Sequence, residues 1–364
     1  MTDPIQYIKP AVRSITAYAL AARSAPVKVN QNENPYDVPE DLKRRVMERA
    51  LARAWSRYPE FHPRELVERL ADFSGWRADG ILAGNGSNEL IEALLVVTVA
   101  PGTRVLVPEP TFTLYGLLTR VLGGDLVRAS LGPELEYEAE ELRRLRRELA
   151  ASVTIVCSPN NPTGTLLSLD QVDRLCAEGD GLVVVDEAYH EFSGGTVVPL
   201  LGRHPNLIVL RTFSKAMALA GLRVGYLLAS PEMVREVNKA RLPYNLNFFS
   251  QEAALAALED WRVLRANVDR IVEARDQLLH RLYRVPGVRP YPSRANFILF
   301  ELQDADPRTV FEALLARGVL VRDVTSYPRL SRCLRVSVGS EEENESFLSA
   351  LRQALEGERF RRAR

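Results

Sequence analysis

The sequence predicts an α/β protein: a mostly parallel sheet flanked by helices, followed by a smaller α+β domain. Two observations carry this. From about residue 80 to 230, short apolar, β-branched runs alternate with longer helical patterns, as expected where parallel strands are joined through helical crossovers. After Pro231 the alternation stops, and a long helical stretch leads into a second, shorter group of strands and helices. At 364 residues the chain exceeds the usual single-domain size, which fits one large and one smaller unit.

In chain order, residues 1–30 hold no apolar pattern of their own and are expected to pack on the body of the protein. Residues 31–250 are assigned to the large α/β domain. There "TRVLVPEP", "SVTIVCSP", "GLVVVDEAY", "NLIVLRTFS" and "RVGYLLAS" are apolar runs of the kind found in strands buried on both faces. Between them "SNELIEALLVVTV", "TFTLYGLLTRVL", "EELRRLRRELA" and "SLDQVDRLCAEG" have helical spacing. Residues 251–283 are assigned to a linking helix, within a helical stretch from Phe249 to Leu282 that carries few breakers. Residues 284–364 form the small C-terminal α+β domain, with strands at "ANFILFEL", "GVLVRDV" and "CLRVSVG" and helices near 307–317 and 341–356.

Charge narrows the partners. Basic and acidic residues number 47 each, so no general attraction to nucleic acid or to an acidic membrane is expected. Three cysteines and four histidines lie scattered without ligand or disulfide spacing, so neither a metal site nor a disulfide framework is expected. No stretch approaches the roughly 18 apolar residues of a membrane span, and "MTDPIQYIKP" lacks a signal-peptide core. A cytoplasmic location is the expectation.

One residue breaks the composition. The chain has five lysines against 42 arginines, so a positive charge that merely needs solvation is written Arg. Yet Lys215 stands in "LIVLRTFSKAMALAGLRVGY" among small and apolar residues.

In parallel sheets, ligands bind beyond the carboxyl ends of the strands. Three strands end there in polar residues: "TIVCSPNNPTG" at Asn160 and Asn161, "VVVDEAY" at Asp186 and Tyr189, and "IVLRTFSK" at Lys215. Taken singly, each has a plain structural explanation as a turn, a helix cap or a surface loop. Together on one rim they point to chemistry. A lysine amine condenses with an aldehyde cofactor, and pyridoxal 5'-phosphate also needs a carboxylate at its pyridine nitrogen. Asp186 suits that nitrogen, while Asn161 and the Tyr189 hydroxyl suit the phenolic oxygen. Arginine cannot replace Lys215, because it stays protonated.

The cofactor phosphate needs an anchor. "AGNGSNELIEALL" places Gly86, Ser87 and Asn88 where a tight turn opens a helix, and helix N-termini favour anions. Ser214 and Arg223 add a hydroxyl and a guanidinium. Phe112, in "PEPTFTLYG", follows a strand and is placed to stack on the ring.

"SPNNPTG", "DEAYHEF" and "SKAMALAGLRVGY" resemble the signature segments of the fold-type I pyridoxal-phosphate-dependent transferases, and specifically the aminotransferases. Within that group the chain resembles the histidinol-phosphate aminotransferase family. That likeness runs from "NQNENPYDVP" and "SRYPEFHPREL" to "VLVRDVTSYPRLSRCLRVSVGS". It implies that Lys215 carries the cofactor, with Asp186, Asn161, Tyr189, Phe112, Ser214, Arg223 and the Gly86–Ser87–Asn88 turn around it. It further implies that Tyr58 reaches the cofactor phosphate of a neighbouring subunit in a homodimer, and that Arg335 grips the glutamate carboxylate. Tyr18, Tyr244 and Arg322 fall at positions associated with histidinol phosphate. The stretch "TAYALA" departs from the family's commoner "PYxPG" around Tyr18.

The reaction so implied is ping-pong amino transfer in L-histidine biosynthesis. L-Glutamate gives 2-oxoglutarate, and imidazole-acetol phosphate becomes L-histidinol phosphate. Lys215, Asp186 and Tyr189 are the expected catalytic residues. The cofactor residues do not distinguish this from an aromatic amino acid aminotransferase or a threonine-phosphate decarboxylase-like enzyme; only the substrate wall does. A non-catalytic binding protein on this fold need not have kept Lys215 and Asp186, and a nicotinamide dehydrogenase needs a G-x-G-x-x-G turn that "AGNGSNE" lacks.

Overall fold

A computed structural model describes residues 3–16 and 23–362; Tyr18 lies outside these residues. Its centre is a seven-stranded sheet in the order Ile81–Gly84, Gly225–Leu228, Leu207–Thr212, Leu182–Asp186, Val153–Cys157, Arg104–Glu109, Asp125–Ser130. Gly225–Leu228 runs antiparallel to both neighbours, and the remaining pairings are parallel. The continuous apolar runs explain this layer. Val183, Val185, Leu207 and Val209 point into one hydrophobic cluster, while Val184, Ile208 and Leu210 point into the cluster on the other face. Alternate side chains therefore bury both faces.

Two of these strands have weak sequence signals. Ile81–Gly84 is four residues long and runs almost directly into the Gly86–Thr98 helix, so its pattern merges with helical spacing. Asp125–Ser130 is an edge strand, mostly half-buried or exposed, and lacks the continuous apolar run of a central strand. Pro231 does not close the domain's regular structure. It opens a helix, Pro231–Asn238, with Ser230 as N-cap accepting from the Met233 N–H.

The expected linking helix is two helices, Phe248–Glu259 and Trp261–Leu282, broken at Asp260 (φ −94°, ψ 16°). The first is buried nearly all round, and its Ala253, Ala254, Ala256 and Ala257 are in the large core. The second buries one stripe: Leu264 reaches the large cluster and Leu278 and Leu282 a separate one. Neither Gly nor Pro marks the break, which is why the helical pattern reads through it.

The C-terminal part holds a four-stranded antiparallel sheet in the order Arg322–Asp323, Cys333–Ser337, Phe297–Leu302, Val288–Pro290. The helices Pro307–Ala316 and Glu341–Arg362 cover it through a cluster that includes Phe300, Val310, Phe347 and Leu351. The expected single strand "GVLVRDV" is divided. Val319–Leu320 pairs in parallel with Val27–Lys28, whereas Arg322–Asp323 joins the four-stranded sheet. The N-terminal segment is thus stitched to the C-terminal part. No helix among the described residues is long and apolar enough to cross a membrane.

Candidate active site

The three strand ends lie side by side, because Cys157 pairs with Asp186 and Asp186 with Leu210 in the parallel ladder. Their polar residues open into one pocket. It is lined by Lys215, Asp186, Tyr189, Asn161, Phe112, Ser87, Asn88, Ser214 and Arg223, with Arg322 and Arg335 from the small sheet.

Lys215 donates from Nζ to the main-chain oxygen of Gln31 at 2.9 Å. Its side chain is only partly screened from water, yet the enclosing walls and then Arg335 lower its pKa to about 8. A fraction of the amine is therefore neutral near physiological pH, as a nucleophile or base requires.

Asp186 is buried at 3% exposure. Oδ1 accepts from the Ala188 N–H at 3.1 Å and Oδ2 from the Tyr115 hydroxyl at 2.7 Å. Burial raises its pKa to about 6, against the pull of those two donors. No basic side chain among the described residues pairs with it. A buried carboxylate held by hydrogen bonds, facing a pocket and lacking a cation, suits a protonated ring nitrogen.

The anion cradle is built on the helix Gly86–Thr98. Asn85 at its N-cap makes no side-chain cap bond, and Ser87 and Asn88 line the pocket at its first turn. Arg223, itself at φ 55°, donates to Ser214 Oγ and the Ala220 oxygen, each at 3.1 Å. Gly86 (φ +78°) is not itself in the lining; a Cβ there would meet Arg223 Nη2 at 2.5 Å. Glycine lets the guanidinium close over the turn. A phosphate fits these donors.

The two asparagines separate. Asn160 is committed to scaffold bonds with Thr111, Pro110 and Thr163, whereas Asn161 faces the pocket and accepts from Arg335. Arg335 also donates to the Asn30 oxygen at 2.7 Å and lies over the Phe297 ring. Arg322 is its cross-strand partner. The Tyr189 hydroxyl accepts from Asn32 Nδ2 at 3.0 Å, which leaves its own proton free to donate elsewhere.

Tyr58 and Tyr244 are not in the lining. Their rings stack at 4.4 Å, and Tyr58 is 79% exposed. Several lining residues were not read from the sequence: Asn30, Gln31, Asn32, Tyr115 and Tyr327. The first three open the "NQNENPYDVP" segment, which carries part of the family likeness, and Tyr115 stands three positions after Phe112.

A mostly parallel sheet carrying a lysine, a buried carboxylate and a phosphate-binding turn at its strand ends has the features of a pyridoxal-phosphate-type transferase site. Residues 25–351 match the family described as aminotransferase class I and II, and the chain belongs to that family. Over 351 residues it is 38% identical to the histidinol-phosphate aminotransferase of Chlorobium phaeovibrioides, covering 96% of this chain and 97% of that one. Over 355 residues it is 36% identical to the enzyme of the same name from Chlorobium luteolum, covering 97% and 99%. In fold it resembles the Sinorhizobium meliloti histidinol-phosphate aminotransferase solved with pyridoxal-5'-phosphate. The TM-score is 0.88 at 24% identity, covering 96% of this chain and 98% of that one.

Proposed function

We propose that this protein is a pyridoxal-phosphate-dependent histidinol-phosphate aminotransferase. It transfers an amino group between L-glutamate and imidazole-acetol phosphate, giving 2-oxoglutarate and L-histidinol phosphate in L-histidine biosynthesis. One observation carries the reading. Lys215 and Asp186 line a pocket whose other wall bears two cross-strand arginines, Arg322 and Arg335, so the chemistry of amino transfer sits beside binding groups for anionic substrates.

When bound, pyridoxal phosphate supplies an electron-withdrawing ring that makes the substrate Cα–H acidic. The chain's own residues do the rest. Ser87, Asn88, Ser214 and Arg223 bind the cofactor phosphate. Asp186 holds the proton on the ring nitrogen, and Tyr189 and Asn161 hydrogen-bond the phenolic oxygen. Phe112 covers the ring. Lys215 would hold the cofactor aldehyde through its amine, and that amine would serve as the base for the Cα proton. Arg335 grips the glutamate carboxylate, and Arg322 serves the histidinol phosphate side; Tyr244, outside the lining of its own pocket, has no contact there among the described residues that supports such a role.

A homodimer belongs to this reading. Tyr58 is stacked on Tyr244 outside the lining of its own pocket, and Trp55, Leu51 and Leu242 are also exposed. Exposed apolar side chains such as these suit burial against a second copy, whose site would receive Tyr58. A cytoplasmic location, where phosphorylated intermediates are retained, completes the reading.

The test is a half-reaction followed by cofactor absorbance. Histidinol phosphate should convert the loaded protein to its amino form, and phenylalanine should do so far more slowly. Faster reaction with phenylalanine would remove the substrate assignment and leave the aminotransferase.

A further inference from the structure

Asp186 makes two hydrogen bonds, and they differ in kind. The Ala188 N–H is main chain and comes with the strand end. The Tyr115 hydroxyl comes from another element, the first turn of the helix Leu114–Leu122. Tyr115 is fully buried within the hydrophobic cluster beneath the sheet, so its hydroxyl is held where it donates. Burial and the nearby Asp186 raise its pKa well above the ordinary value, and the hydroxyl keeps its proton. Cys157 beside it, and Tyr137, whose hydroxyl donates to the Cys157 carbonyl, are also pushed up by burial. Negative charge on this side of the pocket therefore gathers on Asp186.

The same helix start supplies the ring-stacking side chain. Phe112 precedes Tyr115 by three residues, and the two rings meet edge to face at 5.6 Å and 84°. The ring-covering residue and the clamp on the carboxylate are thus one rigid unit.

We propose that Tyr115 is a positioning residue for amino transfer. Its hydroxyl bond to Oδ2 fixes Asp186 as the carboxylate partner of the cofactor ring nitrogen and ties that carboxylate to the Phe112 wall. This rests on the reading of the pocket given under Proposed function. The physical reason is a shared proton. With pyridoxal phosphate bound, one proton would be shared between Asp186 and the ring nitrogen, and a donor on Oδ2 would favour the carboxylate ionised and the nitrogen protonated. Without the hydroxyl only the Ala188 N–H opposes the desolvation of Asp186, and the proton moves toward the carboxylate.

The test uses full-length protein loaded with pyridoxal phosphate carrying ¹⁵N in its ring, as wild type, Tyr115→Phe and Asp186→Asn. The Tyr115→Phe resonance should move from the wild-type position toward unprotonated pyridine. Its half-reaction with histidinol phosphate should slow about 10- to 100-fold, the worth of one hydrogen bond to a charged group. Saturation should be altered less than about threefold. Should Phe at 115 unfold the chain, 3-fluorotyrosine at 115, a stronger donor, should move the resonance the opposite way. A lower melting temperature with unchanged resonance and rate would leave Tyr115 a packing residue and overturn the proposal. So would an unmoved resonance in the fluorotyrosine protein. If Asp186→Asn leaves the resonance unchanged, the assignment of Asp186 itself fails, and the role of Tyr115 with it.

Discussion

The Lys215 amine donates to the main-chain oxygen of Gln31 across 2.9 Å, joining residues 184 positions apart in the chain. The contact brings the N-terminal segment to the strand end that carries the lysine. Gln31 lies next to Asn30, whose oxygen accepts from Arg335, and Asn32, which donates to Tyr189. Three adjacent residues thus touch three different side chains of the pocket.

The first expectation concerns pH. With a pKa near 8, Lys215 is protonated below that value and neutral above it. Uptake of pyridoxal phosphate by the cofactor-free protein needs the neutral amine. The uptake rate should therefore rise about tenfold per pH unit below 8 and level off above it. Stopped-flow absorbance reads this directly. A midpoint near that of an ordinary lysine would contradict the account.

Replacing the buried carboxylate separates binding from rate. Asp186→Asn should keep much of the cofactor, which the phosphate cradle and Lys215 still hold. Turnover should fall by about 10²- to 10⁴-fold, the scale of a lost proton-handling group. Wild-type turnover in this variant would refute the role.

Arg335→Ala should discriminate between the two substrates. Glutamate offers a carboxylate, and histidinol phosphate has none. Removing a buried charged donor costs about 2–5 kcal/mol, so kcat/KM for glutamate should fall at least about 30-fold. The loss with histidinol phosphate should be much smaller. Equal losses would point to general damage, since Arg335 also holds Asn161 and Asn30.

Behind the site lies a buried ion pair that joins two of the strand ends. Arg211 and Glu187, 4% and 2% exposed, meet at 2.9 Å, with Thr196 bonded to both. Arg211→Ala strands the Glu187 charge and should destabilise the protein by about 3–5 kcal/mol. Replacing both partners with apolar residues of similar size should recover much of this. Denaturant unfolding of the single and double variants checks it.

Gly225 tests the packing of the phosphate turn. A Cβ there would approach the Ser87 nitrogen to 2.4 Å and the Gly86 carbonyl carbon to 2.6 Å, both main chain. Gly225→Ala should therefore displace the turn, costing about 1–3 kcal/mol and weakening cofactor binding. Equilibrium dialysis against pyridoxal phosphate measures it. Unchanged affinity would mean that the turn yields freely.

The legible parts of this protein were those written in local pattern. Central strands such as Leu182–Asp186 and Leu207–Thr212 announce themselves as unbroken apolar runs. Lys215 stands out because lysine is rare in this chain. What was not legible depends on distant contacts. The break at Asp260 has no Gly or Pro to mark it, and the division of 319–323 between two sheets depends on Val27–Lys28 arriving from the other end of the chain. Tyr115 reads as one more core aromatic until the fold brings Asp186, 71 residues away, to its hydroxyl.

The central claim is that Lys215 bears the cofactor, and the scarcity of lysine makes this simple to test. The loaded protein would be reduced with borohydride, digested, and its peptides weighed by mass spectrometry. The account expects a phosphopyridoxyl adduct on the peptide containing Lys215 and on no peptide containing only Lys9, Lys28, Lys43 or Lys239. An adduct confined to one of those four, or none at all after reduction, would contradict it.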